Sequence, residues 1–186
     1  MKLRPPQTLA GIAAIAAAGV LVGVVGLVGM DWAFRQTDTN AYCLSCHNHD
    51  IPYAEHQQTV HFKNQFGVTP GCVDCHVSSR VLVPRMVHKT LASRQLLAHL
   101  RGVTDTREKY LAHRAEMRET ELANMRATDS AACRNCHHVD SMDLEKQSAK
   151  ARLDHTTKLG HGKTCVDCHE DAGHARKEEE EQSFDL

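Results

Sequence analysis

Aromatic residues are scarce in this chain: one Trp, three Tyr and four Phe make up 4% of its 186 residues. Setting aside an N-terminal apolar run leaves ~155 residues, and so few large side chains exclude a thick protein-only core there. Net charge is lacking too, because 22 Lys and Arg stand against 23 Asp and Glu for a formal −1. No basic excess is available to neutralise phosphates, so nucleic acid is not expected as a partner. The third absence is local. Between Thr8 and Met30 there is no charged residue, and the stretch is built mostly from Ala, Val, Leu, Ile and Gly.

A helix over residues 8–30 rises about 1.5 Å per residue and can cross ~30 Å of hydrocarbon. Lys2 and Arg4 precede it and Asp31 ends it. The positive-inside bias therefore puts residues 1–7 in the cytoplasm and everything from residue 31 on the outer side. A cleaved signal peptide is the alternative, since Ala16-Ala17-Ala18 supplies small residues for cleavage. The apolar run continues to Val28, beyond the ~7–15 residues of a signal core, so an uncleaved anchor is expected. Gly19 and Gly23 form a small-xxx-small pair through which the anchor could meet another helix, in a homo- or hetero-oligomer.

Cysteine is absent outside four copies of one pentapeptide: Cys43-Leu-Ser-Cys46-His47, Cys72-Val-Asp-Cys75-His76, Cys133-Arg-Asn-Cys136-His137 and Cys165-Val-Asp-Cys168-His169. Two thiols separated by two residues can form thioethers to the vinyl groups of one haem, and the following imidazole then becomes an axial ligand of its iron. Two zinc sites of four thiolates would also use Cys-x-x-Cys pairs, and four disulfides would suit an exported protein. Neither explains a His after every pair. Four covalently bound c-type haems and electron transfer are the expectation, with the haem domain in the periplasm of a bacterium, anchored in its inner membrane. Haem surfaces then organise the fold, and protein without them should be largely unfolded.

The first two motifs begin 29 residues apart and the last two 32 apart. His61 lies 11 residues before Cys72 and His155 lies 10 before Cys165, and both second motifs read Cys-Val-Asp-Cys-His. A dihaem module is thus duplicated, at about 41–77 and 131–175, within a domain spanning 31–176. Residues 78–130 form a connector whose Arg, Glu, Leu, Ala and Met predict two helices parted at Gly102. Asp105 and Glu108 have the spacing of an N-terminal capping pair. Leu111, Ala115, Leu122 and Met125 mark one helical face for packing on haem edges. The end, 177–186, carries Glu178 to Glu181 and reads as a solvated acidic tail. The fold class is mainly α: one transmembrane helix plus short helices and loops arranged around haems.

Ten of the 14 histidines remain once the motifs are counted, for at most four further axial positions. His61 and His155 are candidates because the repeat makes them equivalent, and His174 because it follows His169 by five residues. The first haem, attached 13 residues after Met30, is expected at the membrane surface. His49, Tyr53 and His56 cluster after its motif, so His49 is an axial candidate there unless that face is vacant.

On these residues the chain resembles the NapC/NirT family of membrane-anchored tetrahaem quinol dehydrogenases, to which the NrfH proteins are related. The likeness includes the anchor, the motif spacing, His61 before Gly71-Cys72, the stretch Gly102-Val-Thr-Asp105-Thr-Arg-Glu-Lys109, and Asp129-Ser-Ala-Ala-Cys133 through His137. The ending Gly162-Lys-Thr-Cys165 through His174 is similar as well. The resemblance implies quinol oxidation near the first haem, release of two protons outside, and delivery of electrons to a periplasmic reductase of respiratory nitrogen-compound metabolism. It implies distal-ligand roles for His61, His155 and His174, and quinol deprotonation by Asp105, whose other reading is the cap. Arg85 and Lys89 are candidates for a quinone oxygen, or else for haem propionates or lipid phosphate.

Two positions depart from the family. His49 stands where a Met is common, and Ser78-Ser79 where many members have Pro-His, so one distal ligand is left to His49, His88, His99 or a partner protein. An imidazole in place of a thioether lowers the potential of an iron. That keeps open the reverse direction, a quinone reductase fed by a periplasmic oxidoreductase such as one oxidising hydroxylamine. A tethered shuttle with no quinone site is the remaining alternative.

Overall fold

A computed structural model of the chain describes residues 8–46, 48–77 and 81–174. The first seven residues, His47, Ser78-Ser79 and the acidic tail lie outside the described residues. Helix α1 spans Leu9–Thr37, its first turn capped by the Thr8 side chain, which accepts from the Gly11 amide at 3.3 Å. Over its most apolar 18-residue window the mean hydropathy is 2.5, which suits a membrane span. The helix continues past Asp31, where the apolar run stops, to Thr37. Asp31 and Arg35 form an i,i+4 ion pair at 2.7 Å, and no Gly or Pro interrupts these last turns. Residues up to Thr39 and those from Asn40 onward are two separate compact units.

The second unit is mainly α, as expected, and among the described residues no strand forms. Its helices are α2 (Asn40–Cys43), α3 (Asp50–His56), α4 (Cys72–His76), α5 (Leu82–Leu100), α6 (Arg107–Ala127), α7 (Ala131–Arg134) and α8 (Ala149–Thr157), with 3-10 turns at Val139–Ser141, Leu144–Lys146 and Cys165–Asp167. The connector is α5 and α6, parted at Gly102, whose φ of +76° is a left-handed conformation that Gly adopts without a Cβ penalty. The expected Asp105–Glu108 cap does not form. Thr106 is the N-cap instead, its hydroxyl accepting from the Lys109 amide at 3.3 Å. A hydroxyl and a carboxylate compete for the same orphan amides, and here Asp105 is drawn away by the Lys109 ammonium at 2.8 Å.

The apolar core is thin. Ile51, Val73, Val77, Leu122 and Val166 are its buried aliphatic members among the described residues. Of the face anticipated on α6, Leu122 is buried, Leu111 and Met125 are half-buried, and Ala115 is exposed. What holds the motifs together is polar, and it repeats. Asp74 Oδ2 accepts from the Gly71 amide at 2.7 Å, and Asp167 Oδ2 from the Thr164 amide at 2.7 Å, so each Cys-Val-Asp turn is closed by its own aspartate. Asn40, three residues before Cys43, accepts from the Cys72 amide at 2.9 Å. Ser130, three before Cys133, accepts from the Val166 amide at 3.3 Å. Each module thus latches its first motif to its second in the same way. Ser130 is 1% exposed and, with Asp129, takes positive φ, a strained conformation for non-Gly residues that the buried latch holds in place.

Candidate haem-binding site

The i,i+3 spacing of each cysteine pair puts both sulfurs on one side of a single helical turn. In the third and fourth motifs the His amide closes that turn, bonding the first cysteine's carbonyl at 2.8 Å for His137 and 3.0 Å for His169. The motifs are neighbours in chain order. Helix α2 packs on α4 and α4 on α7, while the third and fourth motifs meet through the Ser130 latch. The Cys43 and Cys72 thiols are hydrogen-bonded to each other, which pushes the first up and the second down to about 7. Burial, then the nearby Cys133, pushes Cys75 up to about 11. None of the eight cysteines is paired in a disulfide.

Each of the three histidines singled out by sequence lies with its ring opposite a motif histidine. The centroid separations are 6.0 Å for His61 and His137, 5.9 Å for His174 and His76, and 6.1 Å for His155 and His169. Two imidazoles bound on opposite sides of one metal, with bonds of about 2 Å and ring radii of about 1 Å, have centroids about 6 Å apart. The residues therefore fit an iron between each pair. The pairing breaks the equivalence of the two repeats: His155 faces its own module, whereas His61 and His174 each reach into the other.

All three have Nδ1 engaged, leaving Nε2 for a metal. His61 Nδ1 bonds the Ala172 carbonyl at 2.8 Å, His174 Nδ1 the Pro52 carbonyl at 2.8 Å, and His155 Nδ1 the Gln147 amide oxygen at 2.7 Å. Burial is the main reason the His174 imidazolium is disfavoured, which suits a neutral ligand. Among the described residues no group of three or more His, Cys, Asp or Glu comes together to hold a bare metal ion.

The other histidines are placed differently. Both His56 nitrogens are taken, by the Gly173 and Pro70 carbonyls at 3.1 Å each. His49 Nδ1 turns back to the Cys43 carbonyl at 2.5 Å, and the His47 it would have to oppose lies outside the described residues. His99 Nδ1 is 3.3 Å from the Thr104 carbonyl, and His88 lies in the field of Glu121.

Two of the three quinol-site candidates converge on the first motif. Asn48, buried at 5% exposure, donates to the Thr104 and Thr106 carbonyls at 3.0 and 3.4 Å, so Asp105 between them is held beside that motif. Lys89 stands within electrostatic reach of Cys43. Asp105 is half-buried, and its hydrogen bond with Lys109 keeps the carboxyl below its ordinary value. Arg85 is the exception: at 2% exposure it is buried within the domain rather than open to a substrate. Sequence reasoning missed Asn48, Lys109, Gln147 and Glu121, whose carboxylate meets His76 Nδ1 at 3.2 Å. Lys109 alone carried a signal, an i,i+4 spacing from Asp105.

The chain matches the model of the NapC/NirT cytochrome c family, N-terminal region, over residues 5–179. It is 39% identical to the cytochrome c-type protein NapC of Haemophilus influenzae, over 92% of this chain and 84% of that one. Identity to the denitrification system component NirT of Stutzerimonas stutzeri is 38%, over 92% and 86% of the two chains. The cytochrome c-type protein TorY of Escherichia coli O157:H7 is 40% identical over 83% of this chain, which spans only 42% of TorY. No solved structure matches. Four Cys-x-x-Cys-His motifs, an apolar N-terminal helix and these similarities agree: the chain belongs to the NapC/NirT cytochrome c family, electron-transport proteins that carry covalently bound c-type haem.

Proposed function

We propose that this chain is a membrane-anchored tetrahaem cytochrome c that oxidises membrane quinol and delivers the electrons to a periplasmic reductase of respiratory nitrogen-compound metabolism. One arrangement supports the quinol reading: Asn48, just after the first motif, is bonded to both neighbours of Asp105, Lys89 lies within electrostatic reach of Cys43, and in sequence that motif begins six residues after the apolar helix ends. In this reading α1 spans the inner membrane once, the domain faces the periplasm, and the quinone pool is reached at the first motif.

The cysteine pairs hold four haems, which supply one-electron redox chemistry at iron when bound. His47, His76, His137 and His169 are the motif ligands. His174 would complete the second site, His61 the third and His155 the fourth, with His49 the candidate at the first. Lys89 orients a quinone oxygen. Asp105 accepts the quinol proton and hands it to water outside, and Lys109 keeps it ionised and aimed. Arg85, being buried, is left out of this site.

The test is reduction of the haem-loaded, full-length protein by a short-chain quinol, with dithionite as the reference for full reduction. Quinol should reduce it, and competitive quinol analogues should block that reduction in membranes. If they leave it unchanged, the quinol reading fails and a tethered shuttle remains. The reverse reaction, quinone reduction fed by a periplasmic oxidoreductase, is favoured by one feature, the imidazole of His49 where a thioether would raise the potential. Potentiometry decides between the two directions.

A further inference from the structure

Among the described axial candidates, three have neutral partners at Nδ1: the backbone carbonyls of Ala172 and Pro52 for His61 and His174, and the Gln147 amide for His155. His76 is different. Its Nδ1 lies 3.2 Å from Glu121 Oε1. The carboxylate comes from the middle of the 21-residue helix α6, next to the buried Leu122, and Asn124, three residues on, hydrogen-bonds it as well. Glu121 is therefore presented by a rigid element and held from two sides.

We infer that Glu121 is a positioning residue for His76 that lowers the reduction potential of the iron His76 ligates, making the second of the four redox positions the lowest of those described. A carboxylate at Nδ1 fixes the tautomer that leaves Nε2 for the metal, and it draws the Nδ1 proton toward itself, which makes the imidazole more electron-rich. A more electron-donating axial ligand favours the ferric state. Carbonyl and amide acceptors do this less, because they carry no charge. Among the second, third and fourth positions, an electron at equilibrium is then found least often at the second.

The inference rests on the ligand assignment above, and the experiment separates the two. Full-length, haem-loaded protein is titrated potentiometrically with spectra and EPR in three forms: wild type, Glu121→Gln and Glu121→Asp. In E121Q, which keeps an acceptor but removes the charge, one haem's ratio of reduced to oxidised should rise about tenfold at fixed potential, a shift of ~59 mV for a one-electron couple. The other three should stay put, and E121D, which keeps the carboxylate, should restore most of the wild-type value. The haem that moves should be the one made high-spin by His174→Ala. Four unchanged potentials in E121Q would overturn the inference. If H174A opens no haem, it is the ligand assignment that has failed. Should E121Q not mature, wild-type protein still decides: the haem opened by H174A must have a lower potential than those opened by His61→Ala and His155→Ala.

Discussion

Replacing His61 by Ala should open the iron attached at Cys133 and Cys136, although His61 lies 11 residues before Cys72 and 72 before Cys133. The prediction follows from the 6.0 Å separation of the His61 and His137 rings. With an iron held between each pair, His61 and His137 would be tied together, and His76 with His174 would close a loop of about 98 residues. Treated as cross-links in the chain-entropy picture, these two are worth about 4.5 and 4.7 kcal/mol, against about 3 kcal/mol for the loop of about 14 residues from His155 to His169. H61A and H174A should therefore lower resistance to denaturant more than H155A does. Each of the three should also convert one haem's share of the low-spin EPR signal to high-spin. Which haem is affected is read in a background where Cys72→Ala and Cys75→Ala remove the second attachment site, with intact mass verifying three haems. H61A should still create a high-spin centre in that background. If it creates none, His61 serves the second haem and the crossed pairing is wrong.

Asn48→Ala removes its bonds to the Thr104 and Thr106 carbonyls, which keep His99 Nδ1 and the Tyr110 amide as partners, so it costs only about 1 kcal/mol while loosening Asp105 from the first motif. Quinol reduction should slow while dithionite reduction stays complete; equal loss with both reductants would contradict the proposed site. Lys109→Met removes the bond that holds the Asp105 carboxyl below its ordinary value. A base needed in its ionised form is then protonated at higher pH, so the acid limb of the quinol-oxidation profile should move upward, and an unmoved limb would exclude Asp105 as the proton acceptor. Gly71→Ala places a Cβ 2.7 Å from Asn40 Oδ1, which must retreat and give up its bond to the Cys72 amide. A loss of about 1–2 kcal/mol is expected, seen as a lower Tm with all four haems retained.

Much of the architecture could be read from residue order alone because it is local. The i,i+3 cysteines, the uncharged apolar run and the helix formers of the connector act within a few turns of themselves, so α1, α5 and α6 appear where composition puts them. The helix-start signal misled because Asp105 and Thr106 both qualify as caps, and only the reach of Lys109 distinguishes them. The repeat misled more deeply. Its equivalence of His61 and His155 holds for the latches of Asn40 and Ser130 and for the closing aspartates Asp74 and Asp167, yet not for which imidazole faces which. Nothing near Glu121 marks it as the partner of a histidine 45 positions away.

The sequence by itself determined the c-type haem chemistry, the apolar N-terminal helix and the three histidines that stand opposite motif histidines. Those features depend on residue type and short spacing. The tertiary structure alone decided that two of these histidines cross between modules, that Asn48 holds Asp105 to the first motif, and that His76 alone among the described axial candidates meets a carboxylate. Each of these joins residues tens of positions apart, where packing of short motif turns against α6, rather than any local preference, fixes the distance.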